Sequence, residues 1–289
     1  MHFRLQTALF LLLFIGWGST AAHAQRLETW VKQIEARLSV NQSGEAQNQI
    51  AQAMVKYPNA PELVYLRARA FEQDQKLQSA FADLYSIRRE WKLRPEYVRY
   101  ALNVGFNARR YAEAEDIATA YLNRSDAPGS PHDRAEIWAG RASLRLAQSP
   151  PNTEGALSDV QVALQLNPRQ GSYLTLEANT LLALERWNEV LERIAAQPDG
   201  LMEKLPASDA YRLWHAQGLA RMQIKQPDSA IASFSRALQT YRFANAILLD
   251  RARAYGQLGQ KEQACADIAR YRQLEKAALP ADLQALNCP

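Results

Sequence analysis

Ala46, Ala80 and Ala114 lie 34 residues apart, and four residues after each stands Ile50, Leu84 or Ala118. A small residue recurring at one pitch, with a second apolar or small side chain one helical turn later, constrains the fold more than any other feature of this chain. Self-similarity at this period marks an array of helix-turn-helix units, none of which buries its own apolar face until its neighbours stack on it. No run of alternating β-branched residues long enough for a sheet interrupts the pattern. The fold class is all-α.

The first repeat shows the pattern in full, with Trp30 early in a first helix, Ala46, Ile50 and Ala53 along a second, and Pro58 closing the unit. These residues resemble the tetratricopeptide repeat. The resemblance implies a bulky residue wedged between helices, small residues where they cross, and a proline that stops the second helix. It also implies an α-solenoid, a right-handed superhelix with a C-terminal capping helix.

Extending the register gives seven units, at 27–60, 61–94, 95–128, 135–170, 171–204, 211–244 and 245–278. The sixth follows the order closely with Trp214, Gly218, Ala230, Phe234 and Ala237. The seventh keeps Ala252, Tyr255, Gly259, Ala264 and Ile268; the fourth keeps Trp138, Ala142, Ala156, Val160, Ala163 and Pro168, after two extra residues in its turn. Val98, Gly105 and Ala114 carry the third, and Leu174, Ala178, Val190 and Ile194 the fifth. An ordinary helical bundle also has apolar residues at helical spacing. Trp30, Trp138 and Trp214 in equivalent places, with prolines closing several second helices, favour the array.

The units group into blocks at 25–128, 135–204 and 211–278, with linkers at 129–134 and 205–210 and a cap or tail at 279–289. The stretches around Pro128-Gly129-Ser130-Pro131 and Leu205-Pro206-Ala207-Ser208 exceed the repeat pitch and carry turn formers. They read equally as hinges between sub-blocks or as longer ordered loops.

Arg4, the apolar stretch from Ala8 to about Trp17 and Ala22-His23-Ala24 have the layout of a cleaved export signal, residues 1–24, with cleavage before Gln25. Its apolar core falls well short of the ~20 residues that span a bilayer, and no other segment is apolar enough for an integral membrane span. The expected location is exported, most simply a bacterial periplasm.

The formal charge of +4 is small beside 34 basic and 30 acidic side chains. Arg88-Arg89 and Arg109-Arg110 are short clusters, read as solvated helix ends, and nucleic acid is not an expected partner. Beyond the signal the histidines are His132, in the first linker, and His215, in a helix, and neither has a partner spaced for a metal. Glu113 with Asp116 and Glu189 with Glu192 read as exposed helical faces. No catalytic residue, metal or cofactor is expected.

In the repeat family first helices line a concave face. Projecting the register places Tyr65, Arg69, Arg99, Asn103, Phe106, Asn107, Asn179 and His215 there. Arginines bind carboxylates, asparagines bond a peptide backbone and the aromatic rings supply contact area. The Arg99/Asn103 pair resembles the first helix of a carboxylate clamp, but Ala139 and Gly140 stand where the rest of the clamp would follow, so no chain-end specificity is carried over. The expected function is a non-catalytic scaffold, adaptor or chaperone holding a protein or peptide partner, a component of envelope assembly or secretion. The alternatives are recognition of a cell-wall or exported polysaccharide and, from the catalytic class, an envelope hydrolase on a repeat scaffold.

The only cysteines are Cys265 and Cys288. An even count in an oxidising compartment favours a bridge. It needs the last repeat helix to end near Glu275 and Pro280 to open a short reversed helix; otherwise both thiols are free.

Overall fold

A computed structural model describes residues 26–89, 94–275 and 278–288. The expected signal at 1–24 lies outside the described residues. Among those described, helices account for all regular structure and no strand occurs. The chain forms two compact units, one ending at Gly129 and the other beginning at Ser130.

Unit 1 holds three helix pairs: α1 (26–39) with α2 (Ser43–Lys56), α3 (Pro61–Gln73) with α4 (Leu77–Ser86), and α5 (Pro95–Asn107) with α6 (Tyr111–Leu122). Unit 2 begins with α7 (Pro131–Ala147) and α8 (Thr153–Leu166), then α9 (Gly171–Ala183) and α10 (Trp187–Ala195). After the single turn α11 (Leu201–Lys204) come α12 (Ala207–Gln223) with α13 (Pro227–Thr240), α14 (Ala246–Gln257) with α15 (Lys261–Leu274), and the short α16 (Ala281–Gln284).

Local chemistry sets these limits. Pro61, Pro95, Pro131 and Pro227 open their helices, where a missing N–H costs nothing. Ser130 and Asp133 form a reciprocal capping box. The helix starts correct the expected linkers: residues from Pro131 already belong to α7, opened by that box, and residues from Ala207 to α12, opened by the Pro206 carbonyl. His132 is therefore helical, 3.6 Å from Glu136, and not in a linker.

Within six pairs the turn uses one left-handed residue: Asn41, Gln75, Arg109, Glu185, Lys225 and Gly259 all have φ between 56° and 72°. The next residue's N–H returns to a carbonyl five positions earlier, as in Lys76 to Phe71 (2.8 Å) and Gln226 to Arg221 (2.8 Å). This closure satisfies carbonyls that a helix end otherwise leaves open.

The recurrent small position is the helix crossing. Ala46, Ala80, Ala114, Ala156, Val190, Ala230 and Ala264 are all fully buried. Gly218 shows how close the approach is, since a Cβ there would lie 2.3 Å from Cε1 of Phe234, itself 0 % exposed. Gly218→Ala should cost about 1–3 kcal/mol by overpacking. Urea unfolding reads the loss, and an unchanged midpoint would mean the ring has room to retreat.

A polar latch across five of the helix pairs was not foreseen. Residues sixteen apart meet as Arg67–Asp83 (2.7 and 2.8 Å), Gln217–Ser233 (2.9 Å) and Arg251–Asp267 (2.7 and 2.8 Å). Glu177 and Arg193 make the same contact with the charges exchanged, at 2.8 Å. The fourth unit, longer by its extended turn, joins Arg141 to Asp159 eighteen residues on. At the same place the third unit has Ala101 and Ile117, both buried.

At the carboxyl end, Leu279, Leu283 and Leu286 pack on Leu249, Ala252 and Ile268. Cys265 and Cys288 form a disulfide with their Cα atoms 5.3 Å apart, and Arg253 holds Asp282 at 2.7 Å. The tail thus covers the apolar face left open by the last repeat.

Candidate binding surface

The expected surface residues belong to both units. In unit 1, α3 and α5 bring Tyr65 against Tyr97, with ring centroids 4.2 Å apart, and against Tyr100 at 5.4 Å in an edge-on contact. The Arg69 guanidinium lies 6.0 Å from the Tyr65 ring, and Arg94 lies 5.7 Å from Tyr97. The Tyr100 hydroxyl donates to Glu72 Oε2 at 2.6 Å, so this carboxylate serves the tyrosine cluster. Burial raises the phenol pKa of Tyr65 and Tyr97, and burial with the Glu72 bond raises that of Tyr100 further. All three stay neutral at ordinary pH, with Arg69 and Arg94 at the edge of the cluster.

Farther along α5, Asn107 donates to Asn103 at 2.8 Å, which holds both amides in one orientation. Phe106 is 42 % exposed and meets Tyr111 edge-on at 5.5 Å. Arg99 is partly exposed and engaged by neighbouring groups. The structure therefore brings together Tyr65 with Arg69, and Asn103 with Asn107. Sequence reasoning missed Tyr97 and Tyr100; their three-residue spacing, one repeat after Tyr65, was the available signal.

In unit 2, Asn179 is exposed on α9. His215 Nε2 meets Asp250 Oδ2 at 2.8 Å, and Arg253 binds Asp250 and Asp282 at 2.8 and 2.7 Å. His215 thereby joins a chain of polar contacts from α12 through α14 to the tail. A cleft of about 500 Å³ beside it is lined by Leu219, Met222, Asp250, Arg253 and Leu286.

Some of the charged groups noted in the sequence have ordinary partners. Arg110 pairs with Glu113 and Arg186 with Glu189, while Arg88 stacks 3.8 Å over Tyr85. Among the described residues no cluster of three or more His, Cys, Asp or Glu could hold a metal, and no helix is long and apolar enough to cross a membrane.

No protein-family model matches the sequence, and no curated protein does. Solved structures do. A tetratricopeptide repeat protein from Parabacteroides merdae aligns over 91 % of this chain and 97 % of its own, with a TM-score of 0.60 at 14 % identity. The chain has the tetratricopeptide-repeat fold. MamA from Desulfovibrio magneticus RS-1, residues 41 to the end, aligns over 63 % of this chain and 95 % of its own, with a TM-score of 0.52 at 14 % identity. Likeness at this identity establishes the tetratricopeptide-repeat architecture and leaves function to the residues.

Proposed function

We propose that this protein is a non-catalytic, exported tetratricopeptide-repeat scaffold that holds a protein partner on the first helices of unit 1, in envelope assembly or secretion. The observation that carries the reading is the tyrosine cluster with its flanking Arg69 and Arg94, continued along α5 by Asn103, Phe106 and Asn107. Aromatic rings fixed by mutual packing, with arginines at their edges, are the side chains that dominate protein interfaces. The Cys265–Cys288 disulfide supports an oxidising compartment, as does the signal-like start.

In-cell crosslinking followed by affinity capture tests the proposal. A defined protein band is expected. Glycan retained without a protein supports a polysaccharide-binding scaffold instead, and turnover of an envelope polymer by the purified chain supports a hydrolase. Against the captured partner, Tyr65→Ala with Arg69→Glu should weaken binding at least tenfold, because both an aromatic contact and a charge-assisted contact are lost. Lys56→Glu with Arg89→Glu changes exposed basic residues of unit 1 outside this row. Equal loss in both pairs, measured by calorimetry, would place the partner elsewhere.

A further inference from the structure

The sixth unit repeats an ion-pair frame of the fourth without its carboxylate. In the fourth, Arg145 Nη1 donates to the Gly155 carbonyl at 3.0 Å and to Asp159 Oδ2 at 2.8 Å. In the sixth, Arg221 Nη1 donates to the Ser229 carbonyl at 3.0 Å and to Ser233 Oγ at 2.7 Å. Ser229 and Ser233 stand four residues apart on α13, as Gly155 and Asp159 do on α8. A neutral hydroxyl thus occupies the place of the carboxylate. The other cation of the frame has changed as well, since Gln217 stands in the place of Arg141 and bonds Ser233.

The charge left on Arg221 is reinforced by a neighbour. Burial and the charge of Arg236 both lower the Arg221 pKa, and among the described residues no carboxylate opposes them. Arg236 lies with its guanidinium 4.7 Å over the Trp214 ring. Both arginines, with Trp214, Gln217 and Ser233, line an open cleft of about 360 Å³ between the end of α10 and the α12–α13 pair. Asp199 and Glu203 are exposed residues of the facing wall, and among the described contacts neither pairs with either arginine. Arg221, half-buried, lies beside the like charge of the exposed Arg236, and an entering anion relieves that arrangement.

We propose that the Arg221–Arg236 cleft binds a small oxyanionic group, a carboxylate or a phosphate, whose oxygens stand where the Asp159 carboxylate stands in the fourth unit. Guanidinium N–H groups accept both chemistries through paired, charge-assisted hydrogen bonds. The site is separate from the tyrosine row of unit 1, and the two stand or fall independently.

The test is thermal unfolding of the chain lacking residues 1–24, titrated with inorganic phosphate or with succinate at ionic strength matched by chloride. The wild-type transition should rise and saturate with probe concentration, as for a ligand that binds the native state. Arg221→Gln with Arg236→Gln should weaken the response at least tenfold. Ser233→Asp supplies the internal carboxylate; it should raise the transition without probe and remove the response to it, and this arm decides the matter if the double variant does not fold. A rise with phosphate alone assigns the phosphate chemistry, and a rise with succinate assigns the carboxylate. No saturable rise in the wild type, an equal rise in the double variant, or a full response in Ser233→Asp would each overturn the proposal.

Discussion

Asp159→Ala should destabilise unit 2 by about 3–5 kcal/mol, the cost of breaking a buried ion pair from one side. The Asp159 side chain is 2 % exposed and accepts from Arg141 Nε and Nη2 at 2.8 and 2.7 Å and from Arg145 Nη1 at 2.8 Å. Its removal takes the carboxylate from one arginine whose side chain is 8 % exposed and from a second whose side chain is 16 % exposed. The equivalent losses should be smaller in order of exposure: Asp267→Ala next, because its arginine is 18 % exposed, and Asp83→Ala last, because Arg67 is 38 % exposed and can rehydrate. Replacing Asp159, Arg141 and Arg145 together by Ala, Met and Met should recover much of the loss, since no charge is then buried. Urea unfolding of the four variants checks the series, and equal losses at all three aspartates would show that burial does not set the cost.

Reduction of the Cys265–Cys288 bridge should lower stability by about 3 kcal/mol in the chain-entropy model, because the closed loop spans a sequence separation of 23. Released, the tail keeps, among the described residues, the packing of Leu279, Leu283 and Leu286 and the Arg253–Asp282 pair to hold it on the last repeat. Cys265→Ser with Cys288→Ser should therefore also expose the face around Leu249 and Ile268, detectable as increased binding of an apolar dye. Identical unfolding of oxidised and reduced protein would show that packing alone secures the tail.

The alanine spacing carried the fold because a helix crossing that admits only a small side chain repeats wherever the crossing repeats. Ala46, Ala80 and Ala114 were legible for that reason, and so was the disulfide, which followed from two cysteines and a proline able to reverse the chain. The linkers were read too long because Ser130 and Pro206 lie in stretches whose composition is that of a loop, while the Ser130 side chain and the Pro206 carbonyl accept the bonds that start α7 and α12. The candidate surface was only partly legible. Tyr65 and Arg69 are neighbours on one helix, but their meeting with Tyr97 and Tyr100 depends on how α5 lies beside α3.

The amino-acid sequence by itself determined the all-α class, the repeat register and the helix pairs, since these follow from spacing along one chain. The tertiary structure alone decided which polar groups meet. Arg67 finds Asp83, Arg141 and Arg145 share Asp159, and Arg221 meets a hydroxyl and a carbonyl. Such pairing depends on separations of a few tenths of an ångström between side chains on different helices, and on how much water each keeps; neither quantity is a property of residue order.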